Sequence, residues 1–155
     1  MKIFILTFFA IFLFLSVTIV EAQNVLPFEP EKGTQATIAI NDKMVSYRLT
    51  SSKLVQEESF LVDTEKSIHI SIDDYNFDGK QEFSVWYMDD GMGIYPIHRV
   101  FLFSPSNNKF IEIRPRCGDE FINLKVNRRK KTLTSTYYEN NIAKPCTSKP
   151  CIPKQ

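Results

Sequence analysis

The chain has 155 residues, 43% hydrophobic and 24% charged, with a formal net charge of +1 at pH 7. That length bounds it at one domain, and that composition supports a folded core and excludes disorder throughout. The near-neutral balance excludes a field strong enough to gather nucleic acid.

Met1 to Ala22 stands apart from the fold. Lys2 precedes an uncharged run of 18 residues, Ile3 to Val20, and Val20-Glu21-Ala22 places small residues ahead of Gln23. The pattern predicts a signal peptide over 1–22, hence a periplasmic or secreted protein with no membrane attachment once the leader is cleaved. An uncleaved anchor is the competing reading, because ~20 apolar residues span a bilayer. Export would put Cys117, Cys146 and Cys151 in an oxidising compartment. One of three single pairings is then expected, with one thiol left over. Zinc is the weaker alternative, since neither His69 nor His98 has finger-like spacing.

Gln23 to Gly33 contains Pro27 and Pro30 without periodicity, so a linker is expected over 23–34. A β domain over 35–143 follows. Ala36 to Ile40 and Met44 to Leu49 read as a hairpin turned at Asn41-Asp42-Lys43, and Leu54 to Phe60 as another strand. Ser67 to Ile72 alternates strictly, with Ile68, Ile70 and Ile72 on one face and His69 on the polar one. A solvated role for His69 outweighs a catalytic one.

The strand leads into Asp74-Tyr75-Asn76-Phe77-Asp78-Gly79-Lys80-Gln81-Glu82. Asp74, Asn76 and Asp78 lie at alternate positions and Gly79 follows, which is the front half of a calcium loop. Ca²⁺ takes about 6–8 oxygen ligands, so carboxylates and carbonyls must converge, and glycine lets the backbone reverse. The Lys80 carbonyl and Glu82 would complete the set. An EF-hand is excluded, because its twelfth position is Val85 and β-forming residues follow. The pattern resembles the calcium loops of integrin-type propeller repeats. An Asx-rich turn without metal is the plainer reading.

Glu82 to Met88 is a strand by composition, and Asp89-Asp90-Gly91-Met92-Gly93 reads as a mobile, glycine-rich loop that presents itself to a partner. Asp90, Gly91, Met92, Gly93 and Tyr95 are the candidate contacts, with Asp89 or Asp90 meeting basic groups. Tyr87-Met88-Asp89-Asp90 copies a reverse-transcriptase motif, a reading discarded for a small exported chain without a second carboxylate cluster. Val100–Phe103 with Phe110–Ile113, and Phe121–Val126 with Thr132–Tyr138, form two more hairpins. The basic tip Arg128-Arg129-Lys130-Lys131 reads as a solvated turn. Residues 144–155 carry three prolines and two cysteines, and no strand is expected there. The fold class is therefore all-β, built of successive antiparallel hairpins.

From Ile68 to Tyr138 the chain resembles a family of bacterial periplasmic proteins with a propeller-like β fold. That family includes lysozyme-inhibitor-like immunity proteins that act against peptidoglycan hydrolases delivered by bacteria-killing type IV secretion systems. The resemblance implies one structural Ca²⁺ held by the side chains of Asp74, Asn76, Asp78 and Glu82 and the carbonyl of Lys80. It also implies a cell-wall hydrolase as partner, inhibited by a loop entering its cleft. Catalysis is not expected: there is no Gly-x-Ser-x-Gly elbow and no zinc motif, and adjacent Asp89 and Asp90 on a strand would point to opposite faces. A calcium-rigidified surface or adhesive module is the alternative, weakened by the absence of repeats.

Overall fold

The computed structural model describes residues 24–52 and 54–152, so the expected signal peptide at 1–22 lies outside the described residues. Every regular element among the described residues is a strand. Four of them, β1 (Asn24–Glu31), β2 (Thr34–Asn41), β3 (Met44–Thr50) and β4 (Val55–Leu61), form an antiparallel sheet in sequence order. The other seven are β5 (His69–Asp73), β6 (Glu82–Met88), β7 (Pro96–Ser104), β8 (Lys109–Ile113), β9 (Phe121–Asn127), β10 (Thr132–Glu139) and β11 (Ile142–Ser148). They lie in the order β11-β10-β9-β7-β6-β5, with β8 attached to β7. One sheet curls strongly into a half-barrel.

Two expectations are corrected at the ends of the domain. The stretch expected as a linker is strand β1, paired with β2 from Asn24↔Ile40 to Phe28↔Ala36, with an irregularity before Glu31. Its prolines are tolerated because an edge strand needs only every second N–H. Phe28 holds it down, its ring 5.8 Å from Phe110 and 6.5 Å from Phe83. The tail expected without structure supplies β11, which pairs with β10 in continuous register, Leu133↔Ser148 to Glu139↔Ile142. Pro145 sits there on an edge as well. A disulfide joins Cys117 to Cys146, and Cys151 is free and exposed. Closing that 29-residue span stabilises the fold by about 3–4 kcal/mol in the chain-entropy account.

The core has two parts, and β7 feeds both. Val100, Phe101, Leu102 and Phe103 are all buried, the signature of a strand covered on both faces. Phe101 and Phe103 join Phe83, Val85, Tyr47, Leu49 and Ile38 between the sheets. Phe83 is fully buried, stacked 4.6 Å from Phe101 and edge-on 4.8 Å from Phe110. Val100 and Leu102 join Tyr75, Ile113, Phe121 and Leu133 on the other face. Removing one such ring would cost about 3–5 kcal/mol. The expected alternation of β5 holds: Ile68, Ile70 and Ile72 pack on the first cluster and His69 is exposed.

Candidate functional site

Two loops leave opposite ends of β6, and both carry candidate residues. The loop before it is a cage of short hydrogen bonds. Asp74 accepts from Asp78 N–H (3.1 Å) and Gly79 N–H (2.9 Å), one at each carboxylate oxygen. Asn76 Oδ1 accepts from Asp78 N–H at 2.9 Å, and Asp78 Oδ1 from Lys80 N–H at 2.9 Å. Gly79 has φ +86°, the left-handed region where glycine is at ease, and Phe77 two residues earlier is also left-handed at +65°. These reversals bring Asp74, Asn76 and Asp78 together, as their spacing predicts.

Glu82 takes a different place. It is fully buried, and its Oε2 accepts from Tyr75 N–H (2.9 Å) and Asn76 N–H (3.0 Å). Its Oε1 accepts from Phe103 N–H across the sheet at 3.3 Å. Burial pushes its pKa up to about 8, with the charge on Asp78 adding to the shift and the three N–H donors opposing it. Tyr75 anchors the loop from the other side, its hydroxyl 2.8 Å from Ser84 Oγ. The Lys80 ammonium lies 3.6 Å from Asp78 Oδ2.

The donor set is made of hard oxygens and suits Ca²⁺ in kind. Each carboxylate oxygen that accepts one N–H keeps a second lone pair. Among the described residues, no group of three or more His, Cys, Asp or Glu is arranged to hold a metal ion. Glu82, expected among the ligands, has both carboxylate oxygens engaged by backbone N–H groups.

The loop after β6 is closed by Asp89 N–H donating to Tyr95 C=O at 3.0 Å. Asp89 Oδ2 accepts from Gly91 N–H and Gly93 N–H, both at 3.1 Å. Asp90 Oδ1 accepts from the Thr64 hydroxyl (3.0 Å) and Glu65 N–H (2.9 Å). The carboxylates expected to meet basic groups of a partner hold the loop here, Asp89 through its own backbone and Asp90 through Thr64 and Glu65. They also pin a loop expected to be mobile. A Cβ at Gly93 would lie 2.3 Å from Tyr95 Cε1 and 2.7 Å from Asp89 Oδ2, so a side chain there displaces the Tyr95 ring and the Asp89 carboxylate.

With the polar groups turned inward, Met92 and Ile94 stand out at 103% and 92% exposure. Tyr95 lies 6.0 Å from the half-exposed Tyr138, which widens the apolar surface. Ile94 and Tyr138 were missed from sequence. An apolar residue between Gly93 and Tyr95 was the available signal for Ile94, whereas Tyr138 comes close only through the sheet.

The histidines form a separate feature. His69, Trp86 and His98 occupy facing positions on β5, β6 and β7, with ring centroids 4.2 and 5.9 Å apart. His98 Nδ1 is 3.5 Å from Ser84 Oγ, and burial holds its pKa down to about 4.

No protein family, curated protein sequence or solved structure matches the chain.

Proposed function

We propose that this is an exported binding protein that seats the loop Asp89–Tyr95 in a recess of a protein partner, a peptidoglycan hydrolase that it inhibits. One observation carries the reading: two large apolar side chains are fully exposed on a loop whose backbone is held by its own carboxylates. A pinned loop loses little conformational freedom on docking. Burying Met92 and Ile94 would contribute about 1.5–3 kcal/mol each. The Cys117–Cys146 disulfide accords with an oxidising compartment.

In this reading Asp74, Asn76, Asp78 and the Lys80 carbonyl hold a structural Ca²⁺, and Glu82 acts as the brace beneath them. The ion would neutralise clustered carboxylates, so its binding energy adds to folding energy. Tyr75 and Glu82 carry the loop's position into the second core cluster and to Phe103 on β7.

The test is inhibition of a panel of lysozyme-like hydrolases by the purified protein and by its Met92→Asp and Ile94→Asp variants. Inhibition that either variant weakens at least tenfold, with thermal stability changed by under about 0.5 kcal/mol, is the expected result. Full hydrolase activity at excess protein across the panel overturns the proposal.

A further inference from the structure

Charge is divided unevenly along this chain. Residues 24–104 carry thirteen Asp and Glu against seven Lys and Arg, whereas residues 121–155 carry eight Lys and Arg against one acid, Glu139. The near-neutral total therefore hides two poles, and an asymmetry of this kind points to an anionic partner for the basic one. The β9–β10 turn holds Arg128, Arg129, Lys130 and Lys131, and Asn127 Oδ1 fixes it by accepting from Lys130 N–H at 3.0 Å. Lys131 has φ +51°, where asparagine or glycine would sit with less strain, so the turn keeps a cation at a conformational cost.

Register adds three more cations to the same end. Lys125 faces Thr134, and Thr134 faces Thr147, in one row across β9, β10 and β11. Ser148 faces Leu133, so Lys149 follows it beside Thr132, where β10 leaves the turn. Arg116 is held there too, its N–H donating to Ser148 Oγ at 2.8 Å. Arg116, Lys125, Arg129, Lys130, Lys131 and Lys149 are all exposed, and none has an ion-pair partner among the described residues. Of the acids on the adjoining loop, Asp73 is paired with Arg128, while Asp74 and Asp78 hold backbone N–H groups.

We propose that this basic end rests on the anionic headgroups of a phospholipid surface, as a reversible, peripheral contact. Three features select a plane of charge over a soluble polyanion. The cations spread from β9 to β11, about 10 Å across, which is wider than a single phosphate chain. Residues 123–136 and 147–152 contain no aromatic side chain, so this end has no platform on which the bases of a single-stranded nucleic acid stack. The field of a membrane decays within a Debye length, about 8 Å at physiological salt, so the surface feels this end and not the acidic remainder. Each cation close to such a surface raises partition about fivefold. The contact is independent of the loop Asp89–Tyr95: Tyr138, which meets Tyr95, lies about 20 Å along β10 from Thr132, so that loop stays free.

Co-sedimentation of the purified mature protein with vesicles tests this, using about 30% phosphatidylglycerol in phosphatidylcholine against pure phosphatidylcholine at about 50 mM salt. The buffer is free of calcium, so that no ion bridges protein and headgroup. Partition at least a hundredfold above that into the neutral vesicles, and lost at about 500 mM salt, is the expected result. Arg129→Ser, Lys130→Ser and Lys131→Asn together lower it about a hundredfold, three fivefold losses, with the melting temperature within a few degrees. Asparagine at 131 retains the left-handed turn. Should that turn misfold, Lys125→Ser with Lys149→Ser takes its place and lowers partition at least tenfold, whereas the same change of charge in Lys32→Ser with Lys66→Ser leaves it within about twofold. Partition no better than into neutral vesicles, equal losses from the two paired variants, or binding to soluble polyphosphate without binding to vesicles overturns the proposal.

Discussion

The two loops at the ends of β6 use the same chemistry for opposite results. Asp74 and Asp89 each accept two backbone N–H groups a few residues ahead, and each thereby sets a tight reversal. In the first loop the remaining side chains turn inward: Tyr75 and Glu82 are buried and tie it to β6 and β7. In the second they turn outward, leaving Met92 and Ile94 in water. Aspartate turns settle backbone shape, while the burial of the other residues decides whether a loop braces the fold or offers a surface.

The sharpest way to break the comparison is Glu82→Ala. It strands the buried N–H groups of Tyr75, Asn76 and Phe103, so a loss of at least about 3 kcal/mol by denaturant unfolding is expected. Glu82→Gln, which keeps one acceptor oxygen, should lose less. A loss under 1 kcal/mol for alanine would mean that the loop does not brace the core.

Calcium comes next. If the first loop holds the ion, a hundredfold excess over Kd stabilises the protein by about 2.7 kcal/mol, and Asp78→Ala removes the response. An unchanged melting temperature in both proteins would leave an Asx turn without metal. Asp89→Ala should cost a smaller 1–2 kcal/mol, because its loop is largely exposed, yet it should weaken partner binding by loosening the backbone. Equal losses for Asp89→Ala and Glu82→Ala would erase the distinction between the loops.

A pH titration supplies the background for both. The unfolded chain takes a proton on His98 near pH 6.5, the folded one only near 4. Through His98 the folded state therefore binds fewer protons between those values, so this group's share of stability rises with pH across that window, while Glu82, with its pKa raised to about 8, pulls the other way above about 4.5. The contribution is complete above pH 6.5 and is lost as pH falls toward 4. Its size is about 1–2 kcal/mol after allowance for partial exposure. His98→Gln should flatten that part of the profile.

Much of this molecule was legible from local pattern. The β2–β3, β7–β8 and β9–β10 hairpins follow from alternation and turn residues, because short-range sterics and burial of one face suffice to specify them. The convergence of Asp74, Asn76 and Asp78 follows from their spacing, since Asx turns close within a few residues. What tertiary structure decided involves partners far along the chain. Pro27 and Pro30 are tolerable in β1 only because β2 pairs with one of its sides. Cys117 meets Cys146 because β11 returns along β10. Glu82 became a buried acceptor because Phe103 donates to it from 21 residues away. An oxygen at ligand spacing has no fixed role until the chain shows which donors reach it first.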